Sequence, residues 1–132
     1  MKMVSTPAFR VECAKISEAK TGETVCGDTV SVFENDENYF YCLVSDGMGS
    51  GEIAMQTSSF VADFLRGMLF RGYSKDTVLH VLNGLVRAGG AECSATVDLF
   101  ELDLINAEAQ FIKSGAAASY VKRESSIFRI RS

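Results

Sequence analysis

The stretch VSDGMGSG, residues 44–51, decides how this sequence is read. It closes the apolar run YFYCLV (39–44), so it lies where a strand ends, and a helical repeat of apolar residues begins just after it. One acid, Asp46, sits at the strand end. Three glycines, Gly47, Gly49 and Gly51, fall within the next five residues. A tight strand-to-helix turn accounts for this pattern, because glycine takes positive φ freely and an aspartate bonds nearby backbone amides. A phosphate cradle at a helix N-terminus is a second reading. A P-loop, however, carries Lys and Ser or Thr after its last glycine, and here Glu52 and Ile53 follow. GMGSG also lacks the GxGxxG spacing. An EF-hand is excluded because Met48 stands where the second oxygen ligand belongs. The remaining reading is a hard-metal site, in which Asp46 offers anionic oxygens and Gly47 a backbone carbonyl with no side chain in the way. The plain turn and the metal site both stay open on this stretch alone.

Working outward, a second acid enters. Val30–Phe33 reads as a short strand, Glu34–Asn38 (ENDEN) as a polar turn, and Tyr39–Val44 as the returning strand, which together make a hairpin. Asp28, in the glycine-bearing CGDT turn, precedes the first strand. In an antiparallel hairpin the start of one strand lies beside the end of the next, so Asp28 and Asp46 are expected to be neighbours. Two adjacent carboxylates repel unless a proton or a cation stands between them. Oxygen-only donors suit Mg²⁺ or Mn²⁺.

The rest of the chain supplies the frame. Phe9–Ile16 is expected to be a strand with imperfect alternation, and residues 20–28 a loop. The Tyr39–Val44 strand is apolar on both faces, which predicts cover on both. In the first helix, Ile53, Thr57, Phe60, Val61, Phe64, Leu65 and Met68 form one stripe, with Ser50 as N-cap and Gly72 at the end. The second helix has Ser74 as cap and a stripe of Val78, Leu82, Leu85 and Val86; Ala88, Gly89 and Gly90 end it. Strands return at Ala95–Leu104 and Ala109–Lys113 around an INAE turn. A further hairpin, Ser119–Arg123 with Ser126–Ile130, turns at Glu124 and Ser125. Strands, then two helices, then strands imply an α+β fold, with antiparallel sheet and helices on one face.

The chain has 132 residues, 47% hydrophobic and 23% charged, enough for one domain that buries about two thirds of its unfolded surface. A net charge of −4 offers no basic face, so nucleic acid is not an expected partner. No two of the four cysteines (13, 26, 42, 93) make a CxxC pair, which argues against zinc. With no membrane-length apolar run and no leader pattern, the expected setting is reducing and cytoplasmic, compatible with the soluble part of a membrane-anchored protein.

GDT (27–29), VSDGMGSG (44–51), TVDLFELDL (96–104) and FIKSGAAASYVKR (111–123) together resemble the stage II sporulation protein E branch of the metal-dependent (PPM, type 2C) protein serine/threonine phosphatases, in order and separation, from about residue 9 onward. The resemblance implies a two-sheet β-sandwich flanked by helices and a pair of Mn²⁺ or Mg²⁺ ions. Asp46 would bridge the metals and position the nucleophilic water, Gly47 would give its carbonyl, and Asp28 would serve the same site. Water would attack the phosphorus of a phosphoserine or phosphothreonine in line, without a covalent enzyme intermediate; a metal can bring the pKa of water from 15.7 to about 7. The implied substrate is a phosphorylated protein of the anti-anti-sigma factor type in sporulation control. The helices after the DG turn are implied to act as a regulatory switch.

This sequence departs from the pattern in three ways. It stops before the family's second DG motif and its late acidic motif. Residues 9–132 are therefore expected to be the N-terminal portion of the domain, after a lead-in at 1–8, with an incomplete metal site and weak or no activity alone. No arginine near the first motif matches the family's phosphate grip, and Lys20 nearby carries no assignment. Ala118 stands where the branch commonly has proline. The competing class is a non-catalytic phosphatase-like module that binds a phosphoprotein or forms a homodimer. A small nucleotide-binding domain is disfavoured by the missing P-loop lysine.

Other polar residues are given plainer roles. His80, the single histidine, is expected on a helix surface. Asp98 and Asp103 are expected to face solvent or pair in turns. Ser114 and Gly115 lie at a strand end, either in a plain turn or lining the site floor. Met48 is expected to pack between turn and helix, and Arg66, Arg71 and Lys75 to form a solvated face.

Overall fold

The computed structural model describes residues 6–49, 51–89 and 94–132. The elements in chain order are β1 (Asp28–Glu34), β2 (Tyr39–Asp46), α1 (Gly51–Phe70), α2 (Lys75–Gly89), β3 (Val97–Asp103), β4 (Ala109–Ser114), β5 (Ser119–Arg123) and β6 (Ser126–Ile130). The first four strands form one antiparallel sheet in the order β1-β2-β3-β4, and β5-β6 is a separate antiparallel pair. The α+β reading holds, with two helices on one face of the larger sheet.

Strand alternation puts successive side chains on opposite faces. One face carries Phe33, Tyr41, Leu43, Val97 and Leu99, which pack against Val61, Leu65 and Leu69 of α1 and Val78 and Leu82 of α2 to make the core. The opposite face carries an aromatic line, Phe40–Phe100–Phe111, with ring centroids 6.3 and 5.0 Å apart. Cover on that face is partial among the described residues, since Val44 in β2 is exposed.

The α1–α2 junction follows its sequence signals. Gly72 takes φ 87°; its amide donates to Leu69 O (3.0 Å), and the Tyr73 amide donates to Met68 O (3.2 Å), closing the last turn of α1. The Thr77 amide donates to Ser74 Oγ at 3.3 Å, the N-cap expected for α2. The Ser50 cap, Gly90 and Cys93 lie outside the described residues.

Five expectations change. The buried face of α1 is rotated: Ala54, Ser58, Val61, Ala62, Leu65 and Leu69 face inward, while Ile53 and Phe60 are 68% and 51% exposed. Close approach decides this, not hydrophobicity. The small stripe Ala54–Ser58–Ala62 lets the helix lie against the hairpin, where Ser58 and Thr29 share a 2.8 Å hydroxyl hydrogen bond. In α2, Leu85 also turns outward, while Val86 packs at the core margin. Phe9–Ile16 is not a strand. Its only backbone ties among the described residues are at its start, where the Ala8 and Phe9 amides donate to Leu104 O, and its broken alternation offers no apolar face to dock. Met48 is exposed, because the backbone of the turn, not its side chain, meets α1. Finally, Lys75 and Arg66 are not simply solvated: Lys75 pairs with buried Glu101 at 3.5 Å, and the Arg66 guanidinium lies 5.6 Å from the Phe33 ring centroid. No described helix is long and apolar enough to cross a membrane.

Candidate metal centre

The β1–β2 register pairs Asp28 with Asp46 directly, the first residue of one strand against the last of the other. Both side chains fall on the sheet face away from the helices, in step with Val30 and Val44. Burial raises the Asp28 carboxyl above its ordinary value of 3.8, and a hydrogen bond to Asp46 and repulsion by its charge push the same way. The pair thus favours a proton held between the two carboxylates; a cation in that place would relieve the same repulsion and lower the pKa instead.

The turn beyond Asp46 is pinned on two sides. Toward β3, the Asp46 amide donates to Thr96 Oγ1 (3.0 Å) and the Thr96 amide donates back to Asp46 O (2.8 Å). Ser45 Oγ donates to Thr96 O (2.9 Å), Gly47 bridges to Ala95, and the Met48 amide donates to Ser94 O (2.9 Å). Toward β1, the Gly47 amide donates to Gly27 O at 3.2 Å. Glycine at 47 is enforced by α1: a Cβ there would stand 1.9 Å from the Ala54 carbonyl oxygen. At Gly51, φ is 62° and a Cβ would meet the Glu23 carboxylate at 2.6 Å. The bare backbone lets the first turn of α1 sit on the strand end and leaves the space beside Gly51 to the Glu23 carboxylate.

A cavity of about 320 Å³ opens here, lined among others by Glu18, Lys20, Glu23, Asp28, Asp46 and Gly47. Lys20 thus faces the same space as the two aspartates. Glu18 and Glu23 had no signal of their own in the sequence, because only the fold of the preceding loop brings them near. The donors are hard oxygens, which fit Mg²⁺ or Mn²⁺. Among the described residues, no group of three or more His, Cys, Asp or Glu side chains gathers as a cation would require for full protein ligation.

The other polar residues fall elsewhere. Ser114 and Gly115 line an adjoining cavity of about 270 Å³ together with Asp46, Met48 and Thr96. His80 is exposed on α2. Asp103 closes the β3–β4 turn, accepting from the Ile105 and Asn106 amides and from Asn106 Nδ2, and these bonds lower its pKa. Asp98 pairs with Lys113, whose side chain is 2% exposed, and Ser119 Oγ completes the group, tying β5 to β3 and β4.

A family model for stage II sporulation protein E (SpoIIE) matches residues 36–131. The chain belongs to the SpoIIE family. Stage II sporulation protein E of Priestia megaterium is 31% identical over 127 residues, spanning 96% of this chain and 22% of that protein. The PP2C phosphatase domain of SpoIIE from Bacillus subtilis, solved with a fragment of its regulatory domain, superposes with a TM-score of 0.88 at 28% identity, covering 96% of this chain and 38% of that one. RsbX, solved in complex with magnesium, superposes with a TM-score of 0.72 over 88% of this chain and 56% of that one; at 19% identity it shows a shared fold. This SpoIIE-family chain therefore has the fold of part of a PP2C phosphatase domain and spans about a fifth of the length of its Priestia relative.

Proposed function

We propose that this chain carries part of the metal site of a protein serine/threonine phosphatase, which hydrolyses phosphoserine or phosphothreonine on a protein of the anti-anti-sigma factor type. The observation that carries this reading is the direct Asp28–Asp46 register pair at the mouth of a polar cavity. Asp28 and Asp46 would hold Mn²⁺ or Mg²⁺, with the Gly47 carbonyl as a third oxygen. When bound, such a cation supplies a water acidic enough to react near neutral pH and charge to stabilise the phosphoryl oxygens. The chain's own part is positional. The sheet fixes both carboxylates, and the glycines keep side chains out of the approach to them. Lys20 offers a positive charge to an anionic group entering the cavity. A partner that is itself a protein suits the open mouth of the site, since both aspartates are exposed at the end of the sheet.

The test is phosphate release from a serine-phosphorylated anti-anti-sigma factor, with Mn²⁺, with Mn²⁺ plus chelator, and with Asp46→Asn. Release that needs the metal and vanishes in the variant supports the reading. Binding of the phosphoprotein without release, unchanged by chelator or by Asp46→Asn, would instead favour a non-catalytic binding module.

A further inference from the structure

We infer that Thr96 is a positioning residue that fixes Asp46 and thereby sets the affinity of the site for a divalent cation. The inference rests on the reading of Asp46 as a metal ligand. Its basis is local and unusual. Thr96 holds Asp46 by both of its backbone groups at once, accepting from the Asp46 amide through its side-chain Oγ1 at 3.0 Å and donating its own amide to Asp46 O at 2.8 Å. Its carbonyl takes a third bond, from Ser45 Oγ at 2.9 Å. Ser45 is itself fully buried, so this bond is shielded from water.

Backbone pairing alone gives one part of this grip and would survive any substitution but proline. The other part, Oγ1 to the Asp46 amide, belongs to the threonine hydroxyl. Without it, the amide of the aspartate at the strand end is left to solvent, and the carboxylate swings on a less constrained backbone. Two carboxylates that repel each other are the ones most displaced by such slack. Groups that orient a metal ligand without touching the metal typically cost about 10–100-fold in affinity when removed. Thr96 has this relation to Asp46, although fifty residues separate them in sequence.

The experiment is calorimetric titration of the metal-free chain with Mn²⁺ alone, comparing wild type, Thr96→Val, Thr96→Ser and Asp46→Asn, with amide hydrogen exchange on each. Thr96→Val keeps shape and backbone but loses the hydroxyl. It should weaken Mn²⁺ binding about tenfold or more and speed exchange at the Asp46 amide, with core amides unchanged. Thr96→Ser restores the hydroxyl and should return affinity to within about threefold of wild type, well short of the about 10–100-fold loss expected when an orienting group is removed. Equal affinity in Thr96→Val and wild type overturns the inference and leaves the metal reading standing. Equal losses in Val and Ser variants, with core exchange accelerated, also overturn it, as a general structural role. A wild-type chain that takes up no Mn²⁺, or takes it up equally well as Asp46→Asn, overturns the inference together with the metal reading.

Discussion

The β1–β2 hairpin has two ends built to opposite rules. At the turn end, polar groups are matched. Asn35 accepts from the Glu37 and Tyr39 amides and donates to Leu69 O, and nearby Lys75 pairs with Glu101 across the sheet margin. Burial raises the Tyr41 phenol, and neighbouring Glu101 raises it further, so it stays a neutral donor. At the open end, two carboxylates face each other in register with no cationic side chain paired to them among the described ion pairs. One sheet and one core serve both ends. A fold that satisfies its charges at one end and opposes like charges at the other has a use for the second arrangement. On the proposed metal reading, repulsion there is the cost of a site held ready for a cation.

Breaking what both ends share should have the largest effect. Leu99→Ala, in the strand that pairs with β2 and fully buried, should cost about 2–5 kcal/mol, read as a shift in the urea midpoint, and should weaken both ends together. Removing Glu101 by Glu101→Ala strands the Lys75 ammonium and the Tyr41 hydroxyl at the turn end. A loss of about 1–3 kcal/mol with Mn²⁺ affinity unchanged would show that this end is structural. Gly47→Ala drives a methyl group toward the Ala54 carbonyl, an overpacking worth about 1–3 kcal/mol, and should displace the turn so that stability and Mn²⁺ uptake fall together.

The smallest effect is the most diagnostic. The folded-state pKa of Asp28 is raised, so its contribution is fully present below the ordinary value near 3.8 and is lost as pH rises through the folded value. Asp28→Asn should therefore match wild type in stability at about pH 3 and exceed it toward neutral pH in metal-free solution, measured by denaturant melts across pH. A variant less stable than wild type at every pH would mean that the pair carries no such repulsion.

Much of this was legible in the sequence, and the reasons differ by element. The hairpin was readable because ENDEN separates two apolar runs, and its register follows from strand pairing, which is how Asp28 and Asp46 could be matched across 18 residues. The α2 cap was readable because Ser74 and the following turn are local chemistry. The inward face of α1 was not, since apolar periodicity ranks Ile53 and Phe60 above Ala54 and Ser58. What selects the small residues is a hairpin that leaves no room, and that fact belongs to tertiary structure. The glycines were read as clearance for an ion. Gly47 is first of all clearance for the Ala54 carbonyl, a contact no local pattern announces. Thr96 escaped for the same reason: its partner is fifty residues away, and a threonine just before a strand has no mark of its own. Phe9–Ile16 shows the converse, a segment with strand-forming residues that finds no ladder among the described residues.

The most direct test of the central claim is thermal melting of wild type and Asp28→Asn at neutral pH, with and without Mn²⁺. Without metal, the variant should melt above wild type, because one of two opposed charges is gone. With Mn²⁺, wild type should rise and the variant should not, so that the order narrows or reverses. A variant that melts lower than wild type without metal, with neither protein responding to Mn²⁺, would contradict the claim that this pair is a cation site held at the expense of stability.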